Sequence, residues 1–363
     1  MALPLVPPIA PMLARLVREL PLGDYLYEPK WDGFRAIAFR DGSEVDVRSR
    51  NQRPLARYFP EVVEAITALP AEHLVVDGEI VVVDQAGRFD FGALMTRLHP
   101  AASRVERLRH EAPATFIAFD LLAMGDEVVC DRPFEERRER LEKLFDPSDP
   151  KMTGSRIHLT PIATDPAVAT EWLQRFTGGG VDGVVAKSRS LRYAPGRREM
   201  IKVKRELTAE CVVAGFRWMW DRPVIGALLL GMHDDDGTLR HVGVASSFSE
   251  TLRSRLLQEL APLVTPVEGH PWEQGFGIRR SPMGRLAGAA GRWAPEEMPM
   301  DWVPVRPELV CEVAYTTVDD HRFRFPAKFR RWRPDRDPAS CHLSQLDESG
   351  GKTWNVPDLL SAR

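Results

Sequence analysis

The stretch Tyr27-Glu28-Pro29-Lys30-Trp31-Asp32-Gly33-Phe34-Arg35 sets one lysine among two carboxylates, a glycine and an arginine, with aromatic neighbours on both sides. Partial desolvation disfavours the charged form of a lysine, and the neutral amine is a nucleophile. Lys30 is therefore the candidate for covalent catalysis. Taken alone, Lys-x-Asp-Gly reads better as a strand edge with a solvated lysine and a turn at Asp32-Gly33. Partners further along the chain decide between the two. Asp77-Gly78-Glu79 interrupts an apolar run over 73–83, where a carboxylate is costly unless it is hydrogen-bonded or faces a cleft. Val181-Asp182-Gly183-Val184-Val185-Ala186-Lys187 opens on an acid and closes on a lysine. Lys202-Val203-Lys204 has period-two spacing, so both ammonium groups leave one face of a strand. Such a pair alone is an exposed strand face; beside Lys30 it suits a phosphate chain.

The elements that must carry these residues follow from pattern. Residues 12–20 have the apolar spacing of a short amphipathic helix ended by Pro21-Leu22-Gly23. Alternation over 35–47 with Asp41-Gly42 predicts a hairpin, which puts Lys30 just before it. Strands are expected over 73–83, 114–122 and 181–187. Helices are expected over 58–69, 91–98, 135–145 and 164–176, the last with Pro166 in its first turn and ended by Gly178-Gly179-Gly180. A domain boundary falls near 205–208, because short strands over 211–216, 225–233 and 239–246 follow, with a turn at Asp234-Asp235-Asp236-Gly237. Ser249 caps a helix running to 260. Short strands plus one helix fit a small barrel of the oligonucleotide-binding type. Residues 262–307, rich in Pro, Gly and Trp, read as an excursion with little regular structure, and 309–318 as a further strand.

The 363 residues are enough for two domains, and 44% hydrophobic with 28% charged residues is a globular balance. Prolines break the apolar start, no basic segment precedes it, and no later stretch approaches a membrane span, so the expectation is a cytoplasmic, nucleoid-associated protein. Cys130, Cys211, Cys311 and Cys341 are widely separated and lack Cys-x-x-Cys pairing, so neither a zinc ribbon nor a disulfide framework is suggested. The net charge of -3 provides no global attraction to nucleic acid. Two local runs do: 187–205 holds eight Lys or Arg against Glu199, and 322–336 holds seven against Asp335.

With these pieces in order, the chain resembles the ATP-dependent DNA ligases, and among them the compact bacterial type, ligase C or the ligase portion of ligase D. Lys30-Trp31-Asp32-Gly33 resembles the adenylated-lysine motif, Ser49-Arg50-Asn51 the phosphate-contacting loop, and Asp77-Gly78-Glu79 the acid that meets the ribose. Phe119-Asp120 resembles the motif whose ring stacks on adenine, with Phe116 the alternative ring. Asp182 to Lys187 resembles the metal-associated motif, Lys202-Val203-Lys204 the α-phosphate lysines, and Arg333-Pro334-Asp335-Arg336 the final motif. The chain departs from the family at Asp182, where Glu is usual, at Met200, often Trp, and at Arg336, often Lys.

The resemblance implies an α+β fold: a nucleotidyltransferase domain, ATP-grasp-like, with antiparallel sheets and flanking helices over 1–205, then a small OB-fold β-barrel domain over 206–363. It implies catalytic roles for Lys30, Asp32, Lys202, Lys204, Arg333 and Asp335. Nucleotide contacts are implied for Glu28, Arg35, Arg50, Glu79, Phe119, Lys187, Lys202 and Lys204, a metal at Asp182 and Glu79, and nucleic-acid contacts from Arg197, Arg198, Arg322 and Arg324. The implied cofactors are ATP, carried as AMP on Lys30, and Mg²⁺, with Mn²⁺ as a substitute. The implied partner is nicked duplex DNA bound by a monomer in DNA repair, alongside repair proteins that the sequence does not name. Competing readings are an RNA ligase, a capping-type nucleotidyltransferase, and a non-catalytic nucleic-acid-binding barrel.

Overall fold

A computed structural model describes all residues except 1–2, 99–100, 146–154, 176–180, 276–301, 320, 348–355 and 362–363. Two compact units emerge, Met1–Arg205 with Gly351–Arg363, and Glu206–Gly350.

The first unit is built on two sheets. In chain order its elements are β1 (Ala14–Val17), β2 (Tyr25–Trp31), β3 (Phe34–Asp41), β4 (Glu44–Ser49), α1 (Pro60–Thr67), β5 (His73–Val82), α2 (Phe91–Arg97) and α3 (Ala102–Glu111). There follow β6 (Ala114–Met124), β7 (Glu127–Val128), α4 (Phe134–Glu142), β8 (Ile157–Leu159), α5 (Pro166–Arg175), β9 (Val181–Ser188) and β10 (Met200–Val203). The larger sheet runs β4-β3-β5-β6-β7 with β8 beside β6; the smaller runs β1-β10-β9-β2. The β3–β4 hairpin turns at Gly42, whose φ of 63° is one that glycine adopts without strain. The helix α1 starts at Pro60 and buries Val62 and Ile66 against Val76, Phe116 and Leu121 of the larger sheet. Ile37, Phe39, Val75 and Leu122 belong to a second apolar cluster, with Met12, Tyr193 and Met200 from the smaller sheet and its approaches. The seam between the sheets is where the site forms.

Two sequence expectations are corrected here. Residues 12–20 do not form a helix: Ala14–Val17 pairs in parallel with Met200–Val203. The apolar spacing suited a helix, but a strand partner distant in sequence took those backbone groups. The second domain does not run to 363. A short helix, α8 (Val356–Ser361), buries Val356 and Leu359 in the first unit's core, and the Val356 N–H donates to Gly87 O at 2.7 Å. The glycines expected to end α5 lie outside the described residues.

The second unit contains β11 (Leu207–Trp218), β12 (Ile225–His233), β13 (Leu239–Ala245), α6 (Glu250–Leu260), β14 (Val303–Tyr315), β15 (Val318–Asp319), β16 (Arg322–Phe323), β17 (Lys328–Trp332) and α7 (Ser344–Asp347). Five of these strands form one antiparallel sheet, β13-β12-β11-β14-β17. It curls until Ala327 N donates to Val244 O and Ser246 N to Ala327 O, at 2.8 and 3.2 Å, bringing its ends together around Val213, Leu228 and Val313. Ser249 caps α6 through Leu252 N. The expected excursion over 262–307 is shorter than proposed, since β14 begins at Val303 and Val305 is fully buried. Most of that excursion, 276–301, lies outside the described residues.

Candidate active site

Lys30 sits where the β2–β9 ladder is irregular. Pro29 pairs with Val184 and Trp31 with Val181, so Lys30 faces Asp182 and Gly183 at a break in the register. A break of this kind re-aims a side chain. Gly183 has φ 145°, and a Cβ there would come within 2.1 Å of Val203 O, so this approach of β9 to β10 requires glycine. Lys30 Nζ lies 2.7 Å from Asp182 Oδ2, and Lys204 pairs with the same oxygen. Burial raises the Asp182 carboxyl, but the two lysines outweigh burial and hold it below the usual range. Burial, then Lys30 and Lys204, push the Lys202 ammonium down. Asp182 Oδ1 is buried and has no hydrogen-bond partner among the described residues.

The other end of the cavity is aromatic and cationic. Phe119 on β6 lines it, with the Arg35 guanidinium carbon 4.4 Å from its ring centroid. Arg35 is held by two bonds to Asp77, 2.6 and 2.7 Å long. The Tyr193 hydroxyl donates to Asp77 at 2.5 Å and accepts from Met12 N at 3.1 Å. Phe116 is not in the lining and packs in the other face's core: it is fully buried, with Gly78 so close that a Cβ there would sit 2.4 Å from its ring, while Phe119 is buried but for the edge that reaches the cavity. Behind Phe119 lies a buried charge network. Lys187 Nζ bonds Phe119 O at 3.0 Å and Glu28 at 2.8 Å, and sits 4.3 Å from the Phe134 ring centroid. Arg138 approaches Glu28 to 4.0 Å and donates to Thr160 O, while Arg137 clamps Asp120. Burial raises the Glu28 carboxyl although Lys187 and Arg138 oppose it.

Between the two ends is Glu79, opposite Arg35 in the β3–β5 register. Its Oε1 accepts from Gly33 N at 3.0 Å, and burial pushes its carboxyl up to about 7 against Arg35, Lys30 and that N–H. A Cβ on Gly33 would meet Ile80 O at 2.1 Å, so the close crossing of β3 and β5 needs glycine. Asp32, Arg50, Arg198 and Lys202 complete the lining of a cavity of about 200 Å³, walled on one side by Met12, Leu13 and Ala14.

The structure thus gathers Glu28, Lys30, Asp32, Arg35, Arg50, Glu79, Phe119, Lys187 and Lys202 around one cavity, with Asp182 and Lys204 joined to it through Lys30. Arg198, counted among nucleic-acid contacts from the sequence, lines the same cavity, while Arg197 is exposed and its carbonyl accepts from Leu13 N. The remaining candidates are in the second unit. Arg322 donates to His241 at 2.7 Å, and Arg324 lies over Phe325. Arg333 bonds Asp335 at 2.7 and 2.9 Å and also pairs with Glu210; the bond from Arg333 holds the Asp335 carboxyl down at about 2. Sequence reasoning missed Tyr193, Arg138 and the Met12–Ala14 wall. Tyr193 is an apolar break inside the first basic run, a weak signal that the run is not wholly solvated.

Among the described residues no group of three or more His, Cys, Asp or Glu side chains is arranged around a common point for a metal ion. No helix there is long and apolar enough to cross a membrane.

Residues 8–204 match the ATP dependent DNA ligase domain, and residues 221–336 the ATP dependent DNA ligase C terminal region. The chain is similar to DNA ligase C2 of Mycolicibacterium smegmatis and to DNA ligase C of Mycobacterium tuberculosis. It is 48% identical to each over 350 residues, with 96% of this chain and 96% of each relative covered. It is 31% identical over 360 residues to the multifunctional non-homologous end joining protein LigD of Pseudomonas aeruginosa, covering 98% of this chain and 38% of that protein. Among solved structures, a minimal-scaffold Lig E DNA ligase shares the fold with a TM-score of 0.54 at 19% identity, covering 90% of this chain and 100% of that one.

Proposed function

The chain belongs to the bacterial ATP-dependent DNA ligases, an α+β pairing of a nucleotidyltransferase unit with an OB-fold barrel, and from that premise we propose that it seals nicks in duplex DNA through AMP carried on Lys30. The observation that carries this reading is the convergence of Lys30 and Lys204 on Asp182, in a site whose far end is Phe119 under Arg35.

In this reading adenine stacks against Phe119, and Glu79 accepts from the ribose hydroxyls. Lys202, Lys204, Arg50 and Arg198 surround the phosphates. Lys30, as the neutral amine, attacks the α-phosphate, the phosphorus–oxygen bond to pyrophosphate breaks, and a phosphoramide joins the lysine to AMP. The AMP then passes to the 5′-phosphate at the nick, and the neighbouring 3′-hydroxyl displaces it. Each step is positioning and charge stabilisation rather than elaborate covalent chemistry. Asp182 would be the residue to hold Mg²⁺, since its Oδ1 is buried with no hydrogen-bond partner among the described residues. When bound there, the ion neutralises phosphate charge as it develops. Glu79 Oε1 already accepts from Gly33, which favours its ribose role over its metal role. Arg333 and Asp335 are assigned to the adenylation step. A cytoplasmic role in DNA repair, with LigD-like proteins as relatives, completes the proposal.

Intact-mass analysis after incubation with ATP and Mg²⁺, followed by peptide mapping, tests it. An AMP adduct on Lys30 that forms from ATP and not GTP, with sealing of DNA nicks in preference to RNA nicks, is the expected result. Binding of DNA without any adduct would leave only the non-catalytic barrel.

A further inference from the structure

The short helix α8 reaches the first unit from the far end of the chain, and its contacts lead toward Lys30. Val356 and Leu359 are almost fully buried, in the same apolar cluster as Trp31, Val81 and Trp172. The Val356 N–H donates at 2.7 Å to the carbonyl of Gly87, in the turn that follows β5. Two residues further along that turn, Phe89 sets its ring edge-on to Trp31, with centroids 5.7 Å apart. Trp31 is itself pinned by an Nε1 bond to Thr160, 2.8 Å long. Lys30 is held at the tip of its side chain by Asp182, but the β2–β9 register skips its backbone between Pro29 and Trp31. Its backbone is placed by its neighbours, and its long side chain multiplies any error in that placement.

We propose that α8 is a positioning element for the reactive lysine: Val356 and Leu359, through the Gly87–Phe89 turn and Trp31, hold Lys30 in line for attack. This rests on Lys30 being the adenylated residue. Val356 and Leu359 touch neither nucleotide nor metal in this role. Phe119 shares the apolar cluster of Trp31 and α8, but the nucleotide end is also held by Arg35 and its bonds to Asp77, so a shift of Trp31 alters alignment more than affinity.

The test uses the full chain with Leu359→Asp, which places a charge in the cluster, and Val356→Pro, which removes the N–H that Gly87 accepts without adding charge. In single-turnover reactions with ATP and Mg²⁺, lysine–AMP formation should slow by about tenfold in each variant, with the KM for ATP within about twofold of the parent. Leu359→Met should restore the rate. A parental rate in folded Leu359→Asp or Val356→Pro protein overturns the proposal. So does a loss that appears only as weaker ATP binding, because the role proposed for α8 is alignment of Lys30 and not affinity for ATP. Lys30→Ala run in parallel isolates the premise, since an adduct that persists there overturns the assignment of Lys30 and not the role of α8.

Discussion

Lys30 Nζ lies 2.7 Å from Asp182 Oδ2, and the ammonium of Lys204 shares that oxygen. One anion thus holds the candidate nucleophile and Lys204 together, so that in the proposed reaction an α-phosphate would meet both. Lys30 is part-exposed and belongs to none of the apolar clusters. Lys30→Ala should therefore abolish the AMP adduct in intact-mass analysis while changing unfolding free energy by less than about 1 kcal/mol. A stable variant that still accumulates AMP would move the nucleophile elsewhere.

Glu79 links stability to pH. Its folded-state carboxyl is raised from 4.5 to about 7, chiefly by burial, so the folded protein holds a proton that the unfolded chain has released. The resulting stabilisation is complete below the unfolded value and lost as pH rises through about 7. Glu79→Gln removes the titration. Between pH 4.5 and 7 the parent should lose stability relative to Glu79→Gln by on the order of 2 kcal/mol, discounted from about 1.4 per pKa unit because the side chain is partly exposed. Urea unfolding of both proteins across that range measures it, and parallel curves would refute it.

Phe119 and Phe116 are three residues apart on one strand and do different work. Phe119→Ala should raise the KM for ATP by the equivalent of about 1 to 3 kcal/mol of lost stacking, and, since Phe119 is also buried in an apolar cluster, it should lower stability as well. Phe116→Ala should leave a cavity against Gly78 and cost about 3 to 5 kcal/mol of stability, with ATP binding retained in the folded fraction. The reverse pairing of effects would exchange the two rings.

What the sequence disclosed and what it hid divide by distance along the chain. Lys30-Trp31-Asp32-Gly33, Asp182-Gly183 and the period-two lysines stand out singly because each is a set of residue types at short, fixed spacing, whereas the meeting of Lys30 with Asp182, 152 residues apart, is written in no local spacing. The β3–β4 hairpin was legible because Asp41-Gly42 turns locally. The strand Ala14–Val17 was misread as helix because Leu13, Leu16, Val17 and Leu20 satisfy a helical period, while the partner that decides the matter, Met200–Val203, lies far away. Tyr193 and Asp77, which position Arg35, are likewise 116 residues apart. The helix α8 is only six residues long, too short to stand without burial, and nothing local tells which unit buries it.

Arg197 and Arg198 test the electrostatic part of DNA binding. Both are exposed, yet only Arg198 lines the cavity. If each contacts one phosphate of the nicked duplex, neutralising both should flatten the slope of log affinity against log salt by about 1.8, close to 0.9 per contact. Binding isotherms over a range of salt measure the slope. A change near half that value assigns the contact to one arginine, and no change makes the run a solvated face.

Asp182 carries the last prediction, because its two oxygens are placed differently. Oδ2 is saturated by Lys30 and Lys204, whereas Oδ1 is buried with no protein hydrogen bond among the described residues. A buried, ionised oxygen left without a partner is costly, and a hard cation beside it removes the cost. Asp182→Asn keeps the shape and removes the charge, so it should weaken Mn²⁺ binding in the presence of a non-hydrolysable ATP analogue by tenfold or more, an estimate from the loss of one of very few protein ligands. It also frees Lys30 and Lys204 from their shared anion, so adenylation should fall by about 100-fold, consistent with a misplaced nucleophile. Asp182→Glu, which restores the longer acid usual in the family, should keep both properties. Manganese binding followed by electron paramagnetic resonance separates the two functions of this one carboxylate: adenylation lost with manganese affinity unchanged would confine Asp182 to holding the lysines.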